Sequence, residues 1–389
     1  MLATGLAKWQ HEPASILGAL RANAGRRWRA ESPPRRWSWG LAATAVLLAG
    51  CAVAPAHTGL QPAEALSPLL PVRSFVADLE SSGAYQVSPD GKKLMWSARI
   101  GLGPGLYVTN LASGETRRFA VRGIGIWAKD SRHVLLHTDA SGDENTHVVA
   151  LDVASDAPSL KDLTPFAGAK SHLIMQLDDS LDLMIQSNRR DPKVYDLYRY
   201  VHATGELRMV AQNPGDVALW LPDGRGGLLG RASRREWQWV FETPDGPAAA
   251  AWQERFRVDF AQTVTPLLPS QDGSFVWALS DRARDKLALV KLYLDGKEEV
   301  VHADPRVDVS QVIFSPRRRL PLAVSVEPDV QEWFYIDPAF GRIAERLKGS
   351  GPSRLSFANM SDDEELLVAS TVRREGGGHV LYRRSADSI

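Results

Sequence analysis

The chain has 389 residues with 46 basic and 46 acidic side chains, so its formal charge is zero and nothing in it offers the basic surface that nucleic-acid binding needs. A hydrophobic content of 44% is ample for a packed core and excludes a disordered chain, and a single cysteine excludes a disulfide framework. No metal cluster or cofactor motif is expected.

The charge is uneven. Arg21, Arg26, Arg27, Arg29, Arg35 and Arg36 fall in the first tenth of the chain and mark that end as a separate object. After Arg36 comes the apolar run WGLAATAVLLAG from Trp39 to Gly50, too short to span a bilayer core of about 30 Å as a helix. It reads as the core of an export signal. The run closes on Leu48, Ala49, Gly50 and Cys51, which resembles the lipobox of bacterial lipoproteins. That resemblance implies processing at Leu48-Ala49-Gly50 and lipidation of Cys51. Ala52, where an aspartate would signal retention, implies sorting to the outer membrane, facing the periplasm. Residues 1–50 are therefore read as an extended N-terminus with a lipoprotein signal peptide, and 51–71, rich in Pro, Ala and Leu, as a lipidated tether. The long stretch before the arginine pair departs from an ordinary signal peptide.

From residue 72 to 389 one pattern recurs. Each unit opens on an apolar or aromatic residue or a serine, followed within a few residues by Asp and often Gly: SPDG at Ser88, WAKDS at Trp127, LDDS at Leu177, LPDG at Leu221, SQDG at Ser270, SPRR at Ser315 and MSDDE at Met360. Aligned on Asp90, Asp130, Asp179, Asp223, Asp272, Arg317 and Asp363, the openings are about 45 residues apart and number seven. Asp-Gly pairs favour tight hairpin turns, because glycine takes positive φ without steric cost. A second turn recurs as ASGE at Ala112, ATGE at Ala203 and LDGK at Leu294. Four strands per unit fit the spacing. The segment LALVKLYL, Leu287 to Leu294, is apolar on nearly both faces, as an inner strand packed between sheets must be. These features predict an all-β, seven-bladed β-propeller of four-stranded antiparallel blades with little helix. Trp96, Trp127, Trp220 and Trp277, placed near the openings, are expected to pack between blades.

Four phrases go beyond general propeller grammar: SFVADLESSGAYQVSPDGKKLMW from Ser74, SGDENTHVVALDV from Ser141, SNRRDPKVYDLYRYVHATGEL from Ser187, and SDRARDKLALVKLYLDGKEEVVHADPRVDVSQVIFSP from Ser280. They resemble successive blades in the N-terminal propeller of prolyl oligopeptidase family serine peptidases, in the branch of the dipeptidyl aminopeptidases and acylaminoacyl peptidases. In that family a C-terminal α/β-hydrolase domain carries the catalytic serine on a G-x-S-x-G elbow. No such motif occurs in these 389 residues, and the nearest stretch, GPSRL at Gly351, lacks the second glycine.

Other candidate chemistry is thin. His133 and His137, four apart on a strand, are separated by about 13 Å along the chain and do not share an ion. His379, after three glycines, has no partner nucleophile and is assigned to a hairpin end. Asp143 and Glu144 in the GDENT loop, and Arg190 and Asp191 in NRRDP, are candidate rim or binding residues, with turn hydrogen bonds and a rim ion pair involving Arg189 to Asp191 as their plainer roles. The resemblance implies a membrane-anchored, non-catalytic propeller that gates a separate hydrolase domain or binds a peptide. The alternative reading is an envelope scaffold unconnected with proteolysis.

Overall fold

A computed structural model describes residues 82–98, 105–121, 123–139, 142–157, 159–246, 251–349, 354–373 and 376–389. The leader, the tether and the residues read as lipidation and processing sites, Leu48, Ala49, Gly50 and Cys51, lie outside the described residues.

The described chain forms seven antiparallel sheets, each built from consecutive strands in simple up-and-down order. Blade 1 holds β1 to β4 (Ser82–Val87, Lys93–Ala98, Gly105–Asn110, Thr116–Phe119) and blade 2 holds β5 to β8 (Ile126–Trp127, His133–Thr138, His147–Asp152, Leu160–Asp162). Blade 3 holds β9 to β12 (Ser171–Gln176, Leu183–Ser187, Asp196–Val201, Glu206–Ala211), and blade 4 holds β13 to β16 (Val217–Pro222, Leu228–Arg235, Gln238–Asp245, Ala251–Asp259). Blade 5 holds β17 to β20 (Val264–Pro269, Phe275–Ser280, Ala288–Tyr293, Glu298–His302). Blade 6 holds β21 to β23 (Val309–Phe314, Pro321–Val326, Glu332–Tyr335), and blade 7 holds β24 to β26 (Arg354–Met360, Leu366–Arg373, Gly376–Arg383). Five blades thus have four strands and two have three among the described residues.

After the three strands of blade 6 the chain forms α1, Pro338–Lys348, which contacts β22 and β23 of that blade and β24 of blade 7. Asp337 caps it by accepting the amides of Ala339 and Phe340, Pro338 opens it, and Arg346 and Lys348 stand in its last turn, where the helix dipole favours cations. Its buried face, Phe340, Ala344 and Leu347, packs into the core between blades 6 and 7.

Each opening lies at the turn from the first strand of a blade to the second, and the chemistry of that turn is repeated. Ser88 donates to the Asp90 carboxylate at 2.6 Å, Ser270 to Asp272 at 2.7 Å and Ser361 to Asp363 at 2.5 Å. The same serine oxygens accept the amides of Lys93, Phe275 and Leu366, closing the turn from both sides. The left-handed position is glycine at Gly91, Gly224 and Gly273, with φ between +69° and +85°, and is held by Ser131 and Glu364 in two other units.

Every interface between neighbouring blades buries an apolar cluster, as stacked sheets require. The last interface is no exception: Val87 packs with Leu366 and Val368, and the Asn359 side chain both accepts the Val87 amide and donates to its carbonyl, at 2.9 and 2.7 Å. Among the described residues the ring closes by packing and hydrogen bonds, not by a strand shared between blades 7 and 1. Three of the four tryptophans singled out from sequence join blades. The indole of Trp127 donates to the carbonyl of Gln86, that of Trp220 to Tyr195 and that of Trp277 to Arg319, at 3.1, 3.0 and 2.8 Å. Trp96 does not. Its ring instead stacks on Tyr107 and Tyr85 of the neighbouring strands inside blade 1.

Candidate functional site

The first strands and opening turns of the blades surround an axial cavity of about 440 Å³, to which all seven blades contribute lining residues. Its wall is mainly apolar, including Ile126, Leu173, Met175, Leu268, Ile313 and Phe357. Volume and lining are those of a small-ligand or peptide site. The polar residues of the inner strands are spent on joining blades: Gln86 donates to Gly125 O at 2.8 Å, and Gln176 accepts from the amide of Lys129 and donates to Trp127 O.

At the end of the cavity formed by the opening turns the lining becomes charged. Lys129, Arg225, Arg317 and Arg319 face the same space as Asp178, Asp179 and Asp362. Arg319, from blade 6, forms an ion pair with Asp178 of blade 3, and Lys129 of blade 2 approaches the same carboxylate at 3.3 Å. The bridge passes over the blade 4 turn at Gly224, where a Cβ would stand 2.6 Å from the Arg319 guanidinium and 2.7 Å from the Asp178 carboxylate. Glycine is favoured at 224 by its φ of +85°, and any side chain there would have to displace the ends of the Arg319–Asp178 bridge. The Arg319 side chain is only 7% exposed and Asp178 is 33% exposed. Burial and the neighbouring Asp363 raise the pKa of Asp362, against the opposing pull of Lys129.

Lys129, Asp178, Gln271 and Asp362 were not singled out, yet each immediately precedes the aspartate on which the openings align. With Pro89 and Pro316, this single repeat position lines the mouth of the cavity in six of the seven blades. Comparing that one column across the units would have found it.

Asp143 and Glu144 lie in the β6–β7 loop, at the opposite end of the blade from the opening turns. The Asp139 carboxylate gathers the amides of Gly142, Asp143 and Glu144 at 2.7–3.2 Å, and the Asp143 carboxylate accepts from Asn145 at 3.0 and 2.9 Å. Arg190 pairs not with Asp191 but with Asp196, at 2.6 and 2.9 Å, and Asp196 is fully buried. Asp191 accepts the Lys193 amide in its own turn, while the Arg189 guanidinium lies over the rings of Tyr198 and Phe166. None of these four residues is among those lining the axial cavity.

His137 does line it. Its Nε2 accepts the Leu173 amide at 3.0 Å, which requires that nitrogen to be unprotonated, and burial, assisted by the charge of His172, lowers its pKa to about 4. His133 instead pairs with Asp130 at 2.6 Å. His379 sits within β26 with its ring on Tyr85, 4.4 Å between centroids, rather than at a hairpin end. Among the described residues no three His, Cys, Asp or Glu side chains are grouped to hold one ion. No helix of the described residues is long and apolar enough to cross a membrane.

No family model matches the chain. It is 26% identical over 322 residues to dipeptidyl aminopeptidase BIII of Pseudoxanthomonas mexicana, covering 78% of this chain and 45% of that protein. It is 21% identical over 276 residues to dipeptidyl peptidase family member 6 of Caenorhabditis elegans, covering 67% of this chain and 37% of the relative. The chain thus spans less than half the length of these relatives. Among solved structures it is similar to dipeptidyl peptidase 4 of Porphyromonas gingivalis, with a TM-score of 0.39 and 9% identity over 78% of this chain and 51% of that one. Strand order, blade number and these sequence matches agree: the chain is a seven-bladed β-propeller related to the propeller-containing dipeptidyl aminopeptidases of the prolyl oligopeptidase family.

Proposed function

We propose that this chain is a membrane-anchored, non-catalytic propeller of peptidase descent that takes peptides into its axial cavity, binding them there or admitting them to a separate hydrolase domain. The observation that carries this reading is a cavity of about 440 Å³, lined by all seven blades and bridged at its charged mouth by the Arg319–Asp178 ion pair. Its apolar wall suits side chains, and its charged rim suits the ends and polar groups of a short peptide. The relatives named as dipeptidyl aminopeptidase and dipeptidyl peptidase support peptides as the ligand class. The covalent chemistry of such a peptidase needs a nucleophile on a strained elbow, and these 389 residues contain no G-x-S-x-G. The Cys51 lipobox resemblance supports the anchor, which would place the propeller in the cell envelope.

The test is direct. The purified chain is incubated with a fluorophosphonate probe and with chromogenic dipeptide substrates. We expect neither labelling nor turnover, alongside measurable peptide binding. Labelling that disappears on substitution of one serine would overturn the non-catalytic reading.

A further inference from the structure

Arg319 is a charged side chain held nearly out of solvent, and its position is set by its backbone. Its amide donates to Ser315 O at 3.0 Å, its carbonyl accepts the Trp277 indole at 2.8 Å, and its φ of +53° fixes the turn that aims the side chain inward. A guanidinium so buried needs an anion beside it, because an uncompensated buried charge is strongly destabilising. Asp178 supplies that anion from the far side of the mouth. It is the more exposed partner, and its carboxylate is shared with Lys129. Two cations from blades 2 and 6 thus converge on one carboxylate, the arrangement that recognises such a group most strongly. Arg225 and Arg317 add positive charge to the same mouth. The mouth opens onto apolar wall, with Ile313, Phe357 and Leu173 in the same lining.

We propose that Arg319 and Lys129 form a carboxylate-binding site that Asp178 fills in the resting protein, and that a ligand carrying a carboxylate beside an apolar side chain displaces Asp178 to bind. The exchange replaces one carboxylate by another, so Arg319 is never left unpaired, and the released Asp178 is already partly in water. Apolar burial in the cavity then favours the ligand. Asp178 acts as an internal competitor that sets a threshold for entry. This deepens the axial-cavity reading of the function and rests on it.

The test uses the full chain and calorimetric titration with N-acetylated leucyl-phenylalanine as the free acid, as the C-terminal amide, and as the amide extended by one aspartate. The free acid is expected to bind at least tenfold more tightly than the simple amide. Asp178→Asn is expected to tighten the free acid about tenfold and leave the amide unchanged. Binding of the aspartyl amide at the level of the free acid assigns the site to any carboxylate; weak binding of it assigns the site to a peptide terminus. Should Asp178→Asn fail to give a cooperative melt, Lys129→Gln is read instead, with several-fold weaker binding of the acid alone. Equal affinity for acid and amide, or no response to either substitution, overturns the carboxylate site while leaving peptide binding in the cavity standing. Failure of all three peptides to bind overturns both.

Discussion

Trp277→Phe probes how the blades are held together. The indole of Trp277 is 3% exposed and donates across the interface from blade 5 to the Arg319 carbonyl of blade 6. Phenylalanine keeps an aromatic ring but has no donor, and leaving that carbonyl buried without a partner costs about 1–3 kcal/mol. The smaller ring also leaves roughly 40 Å³ unfilled, worth about 1 kcal/mol at roughly 24 cal/mol per Å³. The sum is about 2–4 kcal/mol. With an unfolding entropy of about 2.1 cal/mol/K per residue over about 300 ordered residues, each kcal/mol lowers Tm by about 1.5 °C, so a fall of about 3–6 °C is expected. The control is Trp96→Phe. The Trp96 indole makes only a long 3.4 Å contact to Thr109 inside its own blade and is half-buried, so about 1 kcal/mol or less is expected there. Thermal melts followed by circular dichroism, with urea titrations alongside, compare the two. Equal losses for both variants would refute the idea that indole donors across interfaces hold the ring.

Acid should weaken the fold through His137. Its folded pKa of about 4 lies below the ordinary value of 6.5, so the unfolded chain binds the proton more readily. The contribution is whole above about pH 6.5 and is lost as pH falls towards 4; the shift corresponds to at most about 3 kcal/mol. Stability curves of wild type minus His137→Phe over this range should show that loss, and a flat difference would contradict it. Cys51→Ser, expressed in a bacterial host that processes lipoproteins, should move the protein from the membrane to the soluble fraction; unchanged partitioning would remove the anchor from the account.

The repeat was legible because its signal is local. A serine, an aspartate and a positive-φ residue within four positions build the opening turn by themselves, as the Ser88, Ser270 and Ser361 turns show. The tryptophans were legible in part: their proximity to the openings places them near the blade interfaces, but Trp96 and Trp277 both lie on the second strand of their sheets, and only the packing around each ring decides that Trp277 reaches the next blade while Trp96 stacks within its own. The helix α1 was missed although Asp337, Pro338 and Gly349 stand at its ends, because the expectation of a fourth strand outweighed them. The charged mouth was missed for a different reason. Arg319 and Asp178 are 141 positions apart and meet only after seven blades have closed into a ring, so no local pattern joins them. The rim residues chosen instead, Asp143, Glu144, Arg190 and Asp191, stood out as charged phrases, and the structure gives each a role in local turn geometry or a blade-internal ion pair.

The measurement that bears most directly on the account is photo-crosslinking of the full chain with a short apolar peptide bearing a benzophenone side chain, followed by mapping of the attached residues. Attachment concentrated on the inner strands, at Ile126, Met175, Ile313 or Phe357, and lost in Ile124→Trp, which adds bulk to the cavity lining at a residue 58% exposed, is the predicted result. Attachment spread over the outer strands, or undiminished by Ile124→Trp, would contradict the claim that peptides enter the propeller along its axis.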